Sequence, residues 1–273
     1  MDLSQLCIHT ITTKPWSLAT AAGKYAAAGV GGITVWRDAA QAHPDGIKAA
    51  GQHCRDAGLE IVSYVRGGFF TGLNKEDRAA AMHENRQIID EAAELGAPLI
   101  VLVCGATPGQ SLEASRDQIR AGIEAVLPHA EAAGVNLGIE PLHPMYADSR
   151  SAVNTLGQAN DLAIAIDSPR VGVTVDVFHL WWDDRLKAEI RRCGEAGKLF
   201  SFHICDWKDR PEDMLNDRGL MGEGVINVPE IRGWVEATGF SGYHEVEIFS
   251  NRYWAMDQDE YLGRILEAYR VHS

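Results

Sequence analysis

Several features that would narrow the class of this chain quickly are missing from it. No Pro/Ser-rich linker and no block of like charge divides its 273 residues, so one domain covering residues 1–273 is expected. No C-x-x-C pair occurs among Cys7, Cys54, Cys104, Cys193 and Cys205. An odd, scattered set of this kind fits reduced thiols better than a disulfide framework or a zinc knuckle, and Cys104, at a strand end, reads as a buried structural thiol. The chain opens without a basic segment followed by a long apolar stretch, and no run is long enough to cross a bilayer. A soluble, cytoplasmic protein with no membrane partner is therefore expected. Basic charge is also scarce: 25 Lys and Arg stand against 38 Asp and Glu, a formal net charge of -13. That balance argues against nucleic acid, whose binders need a basic footprint, and leaves a small metabolite as the default ligand.

What the chain does have is a repeated alternation of short apolar runs and longer amphipathic stretches. The runs Leu6 to His9, Gly32 to Trp36, Glu60 to Val65, Leu99 to Val103, Asn136 to Ile139, Val171 to Val175, Leu199 to Ile204 and Tyr243 to Ile248 read as eight buried parallel strands. Helical patterns follow at Ser17 to Ala28, Asp45 to Ala57, Lys75 to Leu95, Leu112 to Ala133, Ser151 to Ile166, Asp184 to Ala196, Val228 to Thr238 and Asp257 to Arg270. Gly58, Gly96, Gly134 and Gly239 stand just past helix ends, where a left-handed residue relieves the last carbonyls, and Ser151 and Asp184 are candidate N-caps.

Eight strand–helix units predict an α/β fold, a single (β/α)8 TIM barrel. The competing layout is an open doubly wound sheet, which would hold its ligand at a strand-order reversal. No glycine-rich phosphate fingerprint follows the first strand to support it. Gly29-Val30-Gly31-Gly32 precedes a strand instead of opening a helix.

Four of the runs deliver a metal-capable side chain at or just past their C-terminal ends: Glu140, Asp176, His203 and Glu247. In a closed barrel these ends converge. Any one of the four has an ordinary explanation as a cap, an ion pair or a hydrogen-bonded core imidazole. Together, on consecutive strands, clustered carboxylates would repel unless a cation were present. Three carboxylates and one imidazole form a hard donor set, suited to one divalent ion, Mn²⁺ first, with Mg²⁺ and Co²⁺ as alternatives. Glu245 shares a face with Glu247 by period two and competes with it as ligand; Glu247 is preferred because it stands nearer the strand end.

The segments Gly138-Ile139-Glu140-Pro141, Val175-Asp176-Val177-Phe178-His179, Phe202-His203-Ile204-Cys205-Asp206 and Val246-Glu247-Ile248-Phe249 resemble, in order, the metal-site motifs of the xylose-isomerase-like sugar isomerase/epimerase superfamily, which includes ketose 3-epimerases and hydroxypyruvate isomerase. The resemblance implies that Glu140 and Glu247 are a catalytic acid/base pair that also bind metal, that Asp176 and His203 complete the ligand set, and that His179 holds a substrate oxygen. It also implies an arginine shortly after the strand-seven histidine that contacts substrate; Lys208 and Arg210 straddle that place. Family members are often dimers or tetramers, so a homo-oligomer is allowed, and no sequence feature fixes the state.

The chemistry expected is removal of a carbon-bound proton through a metal-stabilised enediolate between the two glutamates. Returning the proton epimerises or isomerises a sugar. With a leaving group β to the carbanion, the same start becomes elimination by a lyase or dehydratase on a keto-sugar, an inosose or a 3-keto-glycoside.

Further candidates line the same end. Arg37 and Arg66 follow strands two and three as possible clamps for a carboxylate, phosphate or polyol, with surface ion pairing the plain alternative. Asp206 is a candidate to orient His203 or to support the metal from behind. Trp36 and five other tryptophans that follow strands (Trp16, Trp181, Trp182, Trp207 and Trp254) offer flat apolar walls for a sugar ring. Glu223 reads as structural. A three-zinc apurinic endonuclease is disfavoured, because Trp36-Arg37 and Val65-Arg66 stand where its extra histidines would be. A non-catalytic sugar-binding subunit with a vestigial site is the remaining alternative.

Overall fold

A computed structural model describes residues 1–273. Strands β1 (Leu6–His9), β2 (Gly32–Trp36), β3 (Glu60–Gly68), β4 (Leu99–Val103), β5 (Asn136–Glu140), β6 (Val171–Asp176), β7 (Leu199–Ile204) and β8 (His244–Val246) pair in chain order, all parallel. β8 closes on β1, with Leu6 opposite His244 and Ile8 opposite Val246. The eight expected strands are the eight of a closed barrel with helices between them, a TIM barrel. An open sheet is excluded.

The helices are α1 (Leu18–Ala27), α2 (Arg37–Gln41), α3 (Ile47–Asp56), α4 (Lys75–Leu95), α5 (Leu112–Ala133), α6 (Leu156–Ile166), α7 (Val177–Leu180), α8 (Leu186–Glu195), α9 (Val228–Glu236), α10 (Asn251–Trp254) and α11 (Gln258–His272). The long pair α4 and α5 shows why these segments start and stop where they do. Asn74 and Ser111 accept the backbone N–H groups of Asp77 and Ala114, and Gly96 and Gly134 end the two helices in the left-handed conformation, as anticipated.

Two expected caps are displaced. α6 begins five residues after Ser151, where Thr155 accepts the N–H of Gln158; Ser151 instead bridges Gly105 and accepts from Val153. α8 begins after Arg185, and Asp183, not Asp184, receives the neighbouring N–H of that residue. Short polar side chains compete along a loop for the same few donors, and composition alone does not say which of them wins. The single turns α2, α7 and α10 carry no helical period and were not anticipated.

Period two divides the barrel chemically. The outward positions Leu6, Ile8, Ile33, Val35, Ile100, Leu102, Ile139, Val173, Val175, Phe202, Ile204 and Val246 join the helices in one continuous apolar core. The alternate positions include His9, Thr34, Ser63, Ser201 and Glu245, which hydrogen-bond to one another across strands and so meet on the axis. Stability comes from the layer outside the sheet, and the inside is polar near its C-terminal end. All five cysteines are buried and free.

Glycines at helix crossings set close approaches. A Cβ on Gly51 of α3 would stand 2.0 Å from the Leu95 carbonyl oxygen at the end of α4, whereas one on Gly263 of α11 meets nothing within 4 Å. Gly51→Ala is expected to destabilise the fold by about 1–3 kcal/mol through forced backbone movement. Gly263→Ala is expected to stabilise it by about 0.5–1 kcal/mol. Denaturant midpoints of the two variants, moving in opposite directions, check the assignment of helix contacts.

Candidate metal centre and active site

Because the strands are parallel, their C-terminal ends open at one mouth, and the four sequence candidates meet there. Glu140 ends β5 and Asp176 ends β6; His203 lies one residue before the end of β7, in register with Asp176. Glu247 follows β8, its N–H reaching the carbonyl of Ile204 at 3.3 Å. Their donor atoms all lie within 4.8 Å of one another, and all four side chains are buried.

Each carboxylate is held differently. Asp176 caps α7, with Oδ1 accepting the Phe178 N–H at 2.7 Å, which leaves Oδ2 facing Arg218 at 3.1 Å. Glu247 receives Arg218 Nη1 on Oε2 at 2.9 Å and faces His9 Nδ1 with Oε1 at 3.0 Å. Glu140 Oε1 has no hydrogen-bond partner, and neither does Nδ1 of His203, which stands 3.2 Å from it without the alignment for a bond. Buried polar atoms left unpaired are costly. An orphaned carboxylate oxygen and an orphaned imidazole nitrogen, both aimed into a cluster of oxygen donors, fit a divalent cation.

These surroundings drive the two glutamates apart. Burial pushes the Glu140 carboxyl up to about 7, and Glu247 and Asp176 add to that while His203 opposes it. Burial also disfavours the charge on Glu247, but Arg218, His9 and His203 outweigh it and hold that carboxyl well below the ordinary range. Burial opposes a charge on His203, yet Glu245 and the two cluster glutamates raise it to about 10. A bound cation would lower all of these values, because it adds positive charge at the same point.

Of Glu245 and Glu247, Glu247 falls among the four converging donors. Glu245 pairs with His203 in the strand register, two residues before Glu247 on the same face. It accepts from Thr34 at 2.7 Å, Ser63 at 3.4 Å and Ser201, faces His9 Nε2 at 3.2 Å, and stands 3.7 Å from His203 Nε2. Burial is outweighed there by His203, His9 and Ser201, which hold the Glu245 carboxyl down at about 2. Glu245 thus lies near the imidazole without bonding to it, and Nε2 of His203, like Nδ1, has no hydrogen-bond partner.

Asp206, expected to orient His203, is elsewhere. Its two oxygens accept the backbone N–H groups of Trp207, Gly222, Gly224 and Ile226 and so tie down the loop after β7. Both oxygens are used, so it does not orient His203.

His179, on α7, joins the site: Nδ1 accepts the His143 backbone N–H at 3.2 Å, and Nε2 lies 3.2 Å from Arg218 Nη2. Burial and the Arg218 charge keep the ring neutral, well below the ordinary imidazole range. Arg37 is committed to α4, with two contacts to Glu91 at 2.7 and 3.0 Å and one to Glu84 at 2.9 Å. The Arg210 side chain is 94% exposed, with only Asp209 near it at 3.8 Å, and Lys208 pairs with Asp217. Arg66 stacks over Phe69 at 4.3 Å. Trp36 meets Phe249 edge-on at 5.2 Å, and Phe249 meets Trp254 at 6.1 Å, forming one wall of the mouth. Phe178, Trp207 and Trp181 form a second wall, with ring separations of 4.8 and 5.8 Å. Glu223 is structural, accepting from Leu220 and Tyr253.

Two site residues were not anticipated. Arg218 is 3% exposed and sandwiched between Phe178 and Phe249, at 4.3 and 5.0 Å. It comes from the loop after β7, where no period announces which basic residue turns inward. His9 ends β1, and its signal was available: it closes an apolar run just as Glu140 and Asp176 do.

The sequence of residues 23–270 matches the family model described as xylose isomerase-like TIM barrel. The chain belongs to this family. It is 45% identical to the solved structure of protein SMc04130 from Sinorhizobium meliloti 1021, with a TM-score of 0.94 over 99% of this chain and 98% of that one. The fold is also shared with a solved IolI protein carrying a zinc atom, at 20% identity and a TM-score of 0.85, over 97% of this chain and 96% of that one. Among characterised relatives, inosose isomerase of Bacillus licheniformis is 26% identical over 70% of this chain and 68% of its own length. The 3-dehydroshikimate dehydratase of Pseudomonas aeruginosa is 27% identical over 83% of this chain but only 35% of its own length. The relatives place the chain among isomerase-type and dehydratase-type enzymes.

Replacing Arg218 by Met removes the one guanidinium between Asp176 and Glu247. Without added metal, Arg218→Met is expected to cost about 3 kcal/mol of stability, the usual consequence of stripping a buried carboxylate of its partner. Saturating Mn²⁺ should shrink that loss. An equal drop in denaturation midpoint with and without metal would sink the reading of these carboxylates as cation ligands.

Proposed function

We propose that the protein is a divalent-metal-dependent sugar isomerase or epimerase in which Glu140 and Glu247 exchange a carbon-bound proton of a keto-sugar. The observation that carries this reading is the convergence of Glu140, Asp176, His203 and Glu247 at one buried point, with a carboxylate oxygen of Glu140 and both ring nitrogens of His203 left unpaired. These four side chains would hold the ion. Its donors are three carboxylates and one imidazole, which favours Mn²⁺, with Mg²⁺ and Co²⁺ next, while the zinc atom in the IolI structure makes Zn²⁺ the competitor to test. When bound, such an ion polarises a carbonyl oxygen and acidifies the neighbouring carbon.

The chain's own groups then divide the proton work. Glu140 and Glu247 reach the same buried point from β5 and from the end of β8, which makes them the pair placed to take a proton and to return it; Arg218 and His9 fix the position of Glu247, while Oε1 of Glu140 has no such partner. Return to the opposite face of the same carbon inverts it, and return to the adjacent carbon interconverts aldose and ketose. His179 and Arg218 meet at the mouth, with an N–H of Arg218 Nη2 directed at Nε2 of His179 at 3.2 Å and Nδ1 held by the His143 backbone N–H. A substrate oxygen arriving beside this pair would take its hydrogen bond from the Arg218 guanidinium. The two aromatic walls supply flat faces for a sugar ring and keep water off the exchanging carbon. The whole chain acts as one domain, in the cytoplasm, on a free small molecule.

The relative that is a dehydratase favours a second reading, β-elimination from a cyclic or keto-sugar substrate by the same first step. Incubating metal-loaded protein with a panel of ketoses and inososes in deuterated water distinguishes the two. Deuterium entering carbon with the skeleton intact marks an isomerase or epimerase, and an unsaturated product marks a dehydratase. Glu140→Gln and Glu247→Gln are each expected to lower kcat by about 10²–10⁴. Unchanged turnover in both variants would refute the acid/base pair.

A further inference from the structure

Every arginine of this chain that is not fully exposed uses its guanidinium in a hydrogen bond or an ion pair, apart from two. The two are Arg66, near the end of β3, and Arg150, in the connection that follows β5. Neither has a carboxylate within 4.0 Å, although the protein carries a net charge of -13 and its other partly buried cations have found partners.

The two guanidiniums lie on the same side of the mouth. Arg66 stacks on Phe69 at 4.3 Å and Arg150 on Tyr146 at 5.7 Å. Phe69 and Tyr146 pack in one small apolar cluster with Val103 and Leu142. Tyr146 in turn meets the His179 ring edge-on at 5.8 Å, so Arg150 stands one aromatic ring away from His179, with Arg66 beyond Phe69 of the same small cluster. Arg66 also lines a cavity of about 540 Å³ with Trp36, Arg37, Asp38 and Phe69, whose lining does not include Arg150 or the catalytic cluster. Glu84 reaches the same cavity but is held by Arg37 at 2.9 Å. Burial and the nearby charge of Arg150 act against the Arg66 cation; Glu84, though out of contact, favours it in part. Two like charges stripped of part of their water with no carboxylate in contact are stabilised when an anion joins them.

Resting on the proton-exchange reading above, we propose that Arg66 and Arg150 form an anion subsite for a carboxylate or phosphate carried by the substrate, whose keto-polyol portion reaches Glu140 and Glu247. The substrate class is then an acidic keto-polyol, not a neutral sugar. Arginine suits the task because its planar fork pairs with both kinds of anion and stacks on aromatic rings at the same time.

Titration calorimetry of the metal-loaded protein with D-glucose, D-glucuronate and D-glucose 6-phosphate tests the subsite without requiring turnover. At least one of the anionic probes is expected to bind about tenfold or more tighter than glucose. That preference should weaken with added salt and collapse in Arg66→Gln/Arg150→Gln. Preference for glucuronate alone identifies a carboxylate, and preference for the phosphate ester alone identifies a phosphate. Arg150→Gln by itself should lose part of the preference, which keeps the test open if the double variant folds poorly. Equal binding of charged and neutral probes, no binding of either anion, or a preference that survives both substitutions would each overturn the subsite. Absence of deuterium exchange with every ketone would refute the catalytic reading while leaving these binding results to stand or fall separately.

Discussion

Four carboxylates buried at one end of the barrel, Glu140, Asp176, Glu245 and Glu247, are the constraint that orders the rest of this structure. Taking a carboxylate out of water costs several kcal/mol unless charge and hydrogen bonds replace the solvent. Compensation comes from three separate elements. His9 rises from β1 between Glu245 and Glu247, His203 lies on β7 against Glu140 and Glu245, and Arg218 enters from the loop after β7 against Asp176 and Glu247. The loop's geometry serves that entry. Asp206 gathers four backbone N–H groups, Gly219 pairs with it in both directions, and the Arg218 N–H reaches the Phe249 carbonyl, so the guanidinium is delivered into the protein interior at a fixed place.

The charges form two tiers along the barrel axis. In the lower one Glu245 is satisfied by hydroxyls of Thr34, Ser63 and Ser201 as well as by imidazole, which fixes it as an ionised, immobile group. The upper one holds Glu140, Asp176, His203 and Glu247, with unpaired atoms on Glu140 and His203 and the oxygens of the other two held by Arg218, His9 and the Phe178 N–H. His9 links the tiers with both ring nitrogens against carboxylates, an arrangement fully satisfied only when both carry protons, and its pKa is raised accordingly: burial opposes the charge, but Glu247 and Glu245 prevail. A rigid lower tier is what keeps the upper donors from turning toward other partners, as supporting hydrogen bonds do beneath metal sites in general.

The barrel and its upper tier were legible in the sequence because both depend on short-range regularities. Period-two strands place every second residue on the axis, so a metal-capable residue at the end of such a run is marked by position alone. Glu140, Asp176, His203 and Glu247 were found this way, and His9 carried the same mark at the end of Leu6–His9. What the sequence does not encode locally is the traffic of long loops. Nothing distinguishes Arg218 from Lys208 or Arg210 until Asp206 is seen to fold the loop back, and nothing tells Arg37, held by Glu84 and Glu91 from α4, from Arg66, which has no such partner. Asp206 stands three residues after His203 in the chain, yet its carboxylate turns to the four loop N–H groups instead of to the imidazole. Ser151 and Asp184 lost their expected capping roles to neighbours for a related reason: several short polar residues offer the same hydrogen bond, and tertiary packing selects among them.

Barrel interiors of this class are commonly filled by layers of branched apolar side chains. A polar tier in that position is a poor choice for stability, since well-packed apolar residues of similar volume are often as stabilising as buried ion pairs or more so. The fold can carry it because the continuous apolar core lies outside the sheet, between strands and helices, where Ile8, Ile33, Val35, Ile100, Val173, Phe202 and Val246 pack independently of what fills the axis. Separation of the two layers by a single sheet lets the chain hold charges that the core does not have to accommodate. A site built on strand ends inherits the rigidity of the hydrogen-bonded barrel. The groups that surround it, Arg66, Arg150, Trp207 and Trp254 among them, stand at or beyond the strand ends, where sequence can change without disturbing either layer. The division explains why the convergent carboxylate and imidazole cluster is readable from the strands while the surroundings of the mouth are written in the segments between them.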